Sequence, residues 1–134
     1  MKQIIAALAL TLLALPALAQ TAATATPDDR ARQWLTLVDD GNYADAFKQM
    51  AASAKKAGEQ CWADKTKSVR EPLGAMSSRT LKDIQLSRTR PGMRDGQNAT
   101  VRYETSFAKR GLATETLVLV SEDGGWSAVR YSIN

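Results

Sequence analysis

The chain has 134 residues, a formal charge of +4, one cysteine and no histidine. Lack of histidine excludes Ser-His-Asp and Cys-His nucleophile activation, imidazole metal sites and the ordinary near-neutral proton shuttle. A single cysteine, Cys61, excludes an intramolecular disulfide, and the length fits one small domain with one core.

Met1 to Ala19 read as a signal peptide. Lys2 supplies the positive lead, Ile4 to Leu15 is almost unbroken apolar sequence, and Ala17-Leu18-Ala19 is a small-x-small cleavage site. The apolar run is shorter than the roughly 20 residues that span a bilayer. Gln20 follows the expected cut near Ala19, so there is no cysteine to carry a lipid. The expected address is the periplasm or the secreted fraction, with no transmembrane segment. Residues 20–26, rich in Ala and Thr, read as a flexible tail, and 27–134 as a single domain.

Thr26 is placed as an N-cap, Pro27 as the first helical residue, and Asp28 and Asp29 against the helix dipole. Ala31, Trp34, Leu35 and Val38 then form one apolar stripe, which Gly41 ends. Asn42 can cap a second helix with Tyr43, Ala46, Phe47 and Met50 on one face, running through the Ala-rich stretch to about Lys56. A third helix from about Glu59 places Trp62, Thr66 and Val69 on one side and stops before Pro72. Cys61, directly before Trp62 on this helix, is expected to be buried.

Beyond Pro72 the period changes from helical to two. Leu73 to Arg88 reads as a strand with a bulge or bend near Ser77 and Ser78. A turn at Pro91, Gly92, Asp95 and Gly96 follows, inside a basic stretch holding Arg88, Arg90 and Arg94 that reads as a solvated loop. Thr100 to Phe107 alternates, with Val101, Tyr103, Thr105 and Phe107 on one face. Ala113 to Ser121 and Trp126 to Ile133 complete a hairpin around Asp123-Gly124-Gly125. The expected fold is α+β: three N-terminal helices packed on a curved four-stranded antiparallel sheet, similar to cystatin-like and nuclear transport factor 2-like cones.

Several spaced groups carry a family resemblance. They are Trp34-Leu35-x-Leu37-Val38-Asp39-x-Gly41-x-Tyr43, Gln60-x-Trp62, Arg70-x-Pro72-Leu73-Gly74 with Ser78-Arg79, Tyr103-x-Thr105-x-Phe107, Glu115-Thr116, and Trp126 with Tyr131. Together, over about Asp28 to Ile133, the chain resembles the bacterial exported domain-of-unknown-function family numbered 4019. The resemblance implies a one-domain envelope protein and no established activity, substrate or cofactor. Arg130 stands before Tyr131 where the family typically has Gly.

Glu115 is the leading polar candidate. It shares strand parity with Leu117 and Leu119, which puts a carboxylate on the apolar side, where it needs a partner or must protonate. Arg79, in parity with Leu73 and Leu81, can supply the charge; Arg102 and Arg130 are alternatives. The plainer reading is an ion pair that fixes sheet register or closes the cone mouth. The functional one is a cavity in which Glu115 or Glu104, with Tyr103 and Tyr131, could combine into a proton-transfer site of the kind seen in steroid isomerases of similar fold. Trp34, Trp62 and Trp126 sit at core positions, with Trp126 nearest a rim. The acids Asp28, Asp29, Asp39 and Asp40 lie at helix ends without metal-ligand spacing, so neither a metal nor another cofactor is expected.

The sequence thus favours a non-catalytic binding domain for a small apolar ligand or a partner protein. The alternative is an envelope interaction or structural protein acting through its sheet face or an edge strand, with a homodimer as one form; a lyase or isomerase is a distant third. Nucleic acid is not an expected partner, because the chain lacks a basic helix and an aromatic stacking platform.

Overall fold

The computed structural model describes residues 25–88 and 96–134. The expected signal peptide, the expected tail as far as residue 24, and the expected turn residues Arg90, Pro91, Gly92, Arg94 and Asp95 lie outside the described residues.

Helix α1 spans Pro27–Asp39 and starts with a capping box. The Asp29 N–H donates to Thr26 Oγ1 at 3.1 Å, and the Thr26 N–H donates to Asp29 Oδ2 at 3.0 Å, so two otherwise unpaired donors are satisfied reciprocally. Its buried residues are Ala31, Trp34, Leu35 and Val38, the stripe read from the sequence. Leu35 is fully buried, and a side chain of that size contributes about 1.5–3 kcal/mol on leaving water. Gly41, at φ +74°, turns the chain out of the helix.

Helix α2 is Tyr43–Lys48, capped by Asn42 as expected but much shorter than the run to Lys56. The reason is tertiary. Met50 forms a parallel β-bridge with Ala128, and the Ala51 N–H donates to the Ala128 carbonyl at 2.8 Å. A continued helix would carry these residues away from the sheet, so pairing overrides alanine's helix preference and leaves only a 3₁₀ turn at Ala52–Ala54. Helix α3 covers Glu59–Arg70 and passes into a second 3₁₀ turn, Glu71–Leu73. Its inner face departs from expectation. Thr66 and Arg70 are buried, whereas Val69 is 48% exposed, and Cys61 is exposed rather than buried.

The strands β1 (Met76–Ser87), β2 (Asn98–Phe107), β3 (Gly111–Glu122) and β4 (Gly125–Ile133) form an antiparallel meander in chain order. β1 carries a bulge between Met76 and Ser78, where the sequence suggested one, and another between Leu81 and Asp83. The β3–β4 ladder shifts register between Val118 and Leu119, where Val129 is the extra residue, so Ala128 and Tyr131 both oppose inward-facing partners, Leu119 and Leu117. α1 packs across β2, β3 and β4. Val101, Tyr103, Thr105 and Phe107 of β2 and Glu115, Leu117 and Leu119 of β3 all lie on the buried face.

The interior of the cone is filled. Trp34 donates its indole N–H to the Ala46 carbonyl at 2.9 Å and meets Trp62 and Tyr131 edge-on, with ring centroids 5.9 and 5.5 Å away. The space left among Trp34, Leu119, Trp126 and Ala128 is about 20 Å³, room for about one water. A second apolar cluster of Leu73, Phe107 and Ala113 closes the other end.

Candidate functional site

Three of the five candidate residues meet inside the fold, and two residues from the helices join them. Arg79 on β1 is central. Its Nε donates to Glu115 Oε1 at 2.8 Å, while Nη1 and Nη2 donate to Asp39 Oδ2 and Oδ1 at 2.8 and 3.0 Å. Glu115 also accepts from the Thr105 hydroxyl at 2.5 Å and, on Oε2, from the Tyr131 hydroxyl. Arg70 of α3 donates from Nη2 to Asp39 Oδ1 at 2.7 Å. Two carboxylates thus face two guanidiniums, in a cluster whose charged side chains are between 1% and 14% exposed.

Local structure explains the arrangement. Asp39 ends α1, at the negative pole of the helix dipole, and that helix has no basic residue in its last turn. A carboxylate there is disfavoured unless cations from elsewhere offset it, and Arg70 and Arg79 do so. Register supplies the rest: Arg79 lies opposite Thr105, and Glu115 lies between Tyr103 on β2 and Ile133 on β4.

Burial opposes ionisation of Glu115, but the hydrogen bond and charge of Arg79, helped by Thr105 and Tyr131, outweigh it and hold the carboxyl below its ordinary value of 4.5. Burial also works against the charge on Arg79, and the hydrogen bonds it donates to Asp39 and Glu115 more than offset it. The Tyr131 phenol is pushed well above its ordinary value of 10.0 by burial and by the Glu115 charge. Glu115 is therefore an engaged carboxylate, fully buried, with both oxygens occupied.

The other two candidates lie elsewhere. Tyr103 is fully buried beside Glu115 in register, but its hydroxyl donates to Asp28 at 2.6 Å, and Arg32 lies 5.1 Å over its ring. Burial and Asp28 raise its phenol above the ordinary 10.0. Glu104 is exposed on the outer face, so its expected place in an interior site is corrected. The alternative partners for Glu115 are corrected too: Arg102 pairs with Asp83 at 2.9 Å, and Arg130 is exposed opposite Val118. Asp39 and Arg70 were not among the sequence candidates. One signal for Arg70 was present: Trp62, Thr66 and Arg70 continue a four-residue helical spacing.

Next to the cluster, a groove of about 390 Å³ opens on the surface. One wall is the α1–α2 turn with Asp40, Gly41 and Tyr43. The other is the end of α3 and its exit, with Lys67, Glu71, Gly74 and Ala75, and Asp39 and Arg70 lie between the walls. The groove is largely polar, unlike the apolar pocket the sequence suggested. Among the described residues no group of three His, Cys, Asp or Glu side chains is arranged to hold a metal ion, and no helix is long and apolar enough to cross a membrane.

Helices packed on a four-stranded antiparallel meander curved about α1 place the chain among nuclear transport factor 2-like α+β folds, as similar solved structures show. Within that class the chain belongs to the DUF4019 family, "Protein of unknown function (DUF4019)", whose profile matches residues 30–131. One similar structure is a Campylobacter jejuni protein described as an NTF2-like transpeptidase, with a TM-score of 0.54 and 16% identity over 78% of this chain and 97% of that one. Another is a multiply substituted variant of a chain named Rd1NTF2, with a TM-score of 0.51 and 15% identity over 81% of this chain and 100% of that one. At these identities the likeness establishes the fold alone. No curated protein matches significantly.

Proposed function

We infer that this is a non-catalytic binding domain of the cell envelope, exported by its first 19 residues, and that it binds through the groove between the α1–α2 turn and the end of α3. The observation that carries the reading is the groove itself, about 390 Å³ and floored by Arg70 and Asp39. That volume falls within the usual range for small-molecule sites. The non-catalytic part rests on Glu115: a general base must come within reach of substrate, and this carboxylate is fully buried and engaged by Arg79, Thr105 and Tyr131.

The test is ligand mapping by two-dimensional NMR on the mature domain, with native mass spectrometry of protein purified gently from the periplasm. A retained adduct whose removal shifts the amides of residues 38–43 and 67–75 supports the reading. An adduct that shifts only amides elsewhere sinks it. Fractionation of cells with a leader deletion tests the address: export that survives loss of residues 1–19 overturns it.

A second reading has its own observation. Leu81, Ile84 and Leu86 of the edge strand β1 are 36%, 38% and 61% exposed. Their β2 partners, Tyr103, Val101 and Ala99, are core residues, so the strip lies on the helix side of the sheet where α1 covers the other three strands. The strip suits contact with a second copy. A concentration-dependent dimer in analytical ultracentrifugation, lost in Leu86→Glu, supports that contact; a monomer at high concentration removes it.

A further inference from the structure

Arg70 is the one guanidinium of the cluster with nitrogens left unpartnered; each nitrogen of Arg79 donates. Arg70 is 5% exposed, and only Nη2 is hydrogen-bonded, to Asp39. Nε and Nη1 are buried without a partner among the described residues. The guanidinium carbon lies 4.6 Å from the centroid of the Phe107 ring, whose face offsets part of the cationic charge but accepts no directed hydrogen bond of ordinary strength. A buried donor left unpaired costs about 1–3 kcal/mol, and more on a charged group, so an arginine in this state calls for an acceptor.

The groove that Arg70 helps to floor is where such an acceptor can arrive. Lys67, on the same wall one helical turn earlier, is 56% exposed and holds Glu71 only loosely, at 3.7 Å. Its ammonium can swing over the groove at small cost, because an exposed pair of this length contributes about 0–1 kcal/mol. Tyr43, on the opposite wall, is half-buried with its ring edge-on to Trp62 at 6.4 Å, and its hydroxyl makes no hydrogen bond within the described residues. Of the carboxylates on the groove, Asp39 is held by Arg70 and Arg79, whereas Asp40 makes no ion pair within the described residues and Glu71 is released when Lys67 turns to the ligand, so the ligand's oxygens must lie on the Arg70 and Lys67 side, away from Asp40.

We propose that the groove takes a small oxyanion-bearing molecule, a carboxylate or a phosphate, with its oxygens bound by Arg70 and Lys67 and its body against Tyr43. This deepens the binding function proposed above and rests on it. Binding requires the Arg70 guanidinium, whose carbon now lies over the Phe107 ring, to turn its buried Nε–H toward the ligand while Nη2 keeps Asp39. The anchor is thus tied to the buried cluster, and that tie makes it a fixed recognition point rather than a mobile surface charge.

The experiment follows the Arg70 Nε–H resonance and the backbone amides together in ¹⁵N-labelled mature protein, titrated separately with benzoate, inorganic phosphate, benzamide and benzylammonium. The expected result is a saturable shift of the Arg70 Nε–H and of the residue 38–43 and 67–75 amides with benzoate or phosphate. Lys67→Glu, a surface change that leaves the fold intact, should weaken that binding about tenfold. Benzoate responding alone identifies a carboxylate ligand, and phosphate responding alone a phosphate. If benzamide or benzylammonium shifts the groove amides while Arg70 Nε–H stays still with every probe, the groove binds but the oxyanion assignment falls. If none of the four probes moves either set of signals, the oxyanion proposal is overturned, and a retained adduct that maps elsewhere takes the groove reading down with it.

Discussion

Glu115→Gln separates a structural carboxylate from a catalytic one. The substitution keeps shape and volume, removes the charge and turns one accepting oxygen into a donating amide nitrogen. Arg79 then retains Asp39 alone, and the single carboxylate of Asp39 faces two guanidiniums. The new amide has one acceptor and one donor end where Glu115 accepts from Arg79, Thr105 and Tyr131, so one of those contacts must reorganise. Removing one partner of a buried ion pair costs about 3–5 kcal/mol. Because Asp39 still holds Arg79 and the Tyr131 hydroxyl can rotate to accept, the loss belongs at the lower end, about 3 kcal/mol, or about 12 °C in Tm at roughly 4 °C per kcal/mol.

The assay is urea unfolding of wild type and variant from pH 7 to pH 3. Glu115 is depressed in the folded state, so the unfolded chain binds the proton more readily. Its contribution is fully present above the ordinary value of 4.5 and is lost as pH falls through the lower folded value. The gap between the two proteins should therefore be widest at neutral pH and close in acid. A gap below about 1 kcal/mol at pH 7, or one that stays constant down to pH 3, refutes the assignment of Glu115 to a charge-paired cluster. A double-mutant cycle with Arg79→Met adds a control: the double variant should lose less than the sum of the two singles.

Tyr131→Phe removes the hydrogen-bond donor to Glu115 Oε2 without opening space, and should cost about 2 kcal/mol in denaturant unfolding. Gly74→Ala should cost about 1–2 kcal/mol, because φ is +78° and the new Cβ would lie 2.9 Å from Lys109 Cγ and 3.2 Å from the Lys109 backbone nitrogen; an unchanged Tm would show that the 3₁₀ exit of α3 relaxes freely. Cys61 should react with a thiol reagent in the folded state at a rate close to that of the unfolded chain, since its side chain is exposed; protection of more than about a hundredfold would mean that something covers α3.

The elements that sequence predicted well are those in which local and tertiary preferences agree. α1 has an N-cap threonine, a proline at its first position and an apolar stripe, and all of them survive in the fold. β2 alternates from Val101, and Val101, Tyr103, Thr105 and Phe107 are all buried, with Asn98 and Thr100 of the other parity buried at its start. Errors arise where a tertiary contact outweighs a local preference. The alanines after Lys48 favour helix, but Met50 and Ala51 bond to the β4 bulge. On α3, hydrophobicity picks Val69 for the inner face, while the four-residue spacing from Trp62 and Thr66 continues to Arg70, which is buried because Asp39 is there to receive it. Nothing local could announce that: Asp39 and Arg70 are 31 positions apart, and Asp39 and Arg79 are 40 apart. Glu115 was legible because strand parity alone forces it inward; its need for a cation left Arg79, Arg102 and Arg130 open, and only the register of the sheet selects Arg79.

That distribution of surprises bears on how the fold is used. A curved sheet wrapped around a helix can leave its interior open or fill it, and here aromatic side chains and a neutral cluster of four charges fill it. Filling has an electrostatic consequence. Two carboxylates and two guanidiniums taken from water survive only if each is matched; Glu115, Asp39 and Arg79 are matched inside the cluster, and Arg70 is matched on one nitrogen of three. The unfinished valence is therefore not at the centre, where the fold class invites a search, but at the periphery, where α3 meets the end of α1 and the groove begins. If binding evolved on this scaffold by borrowing a charge already held for stability, then Arg70→Lys should keep much of the folded stability while losing oxyanion affinity, because an ammonium can pair with Asp39 but has no Nε–H to direct elsewhere. Parallel losses of stability and affinity in that variant would mean that the groove and the cluster act as one structural unit and that Arg70 is not a separate recognition point.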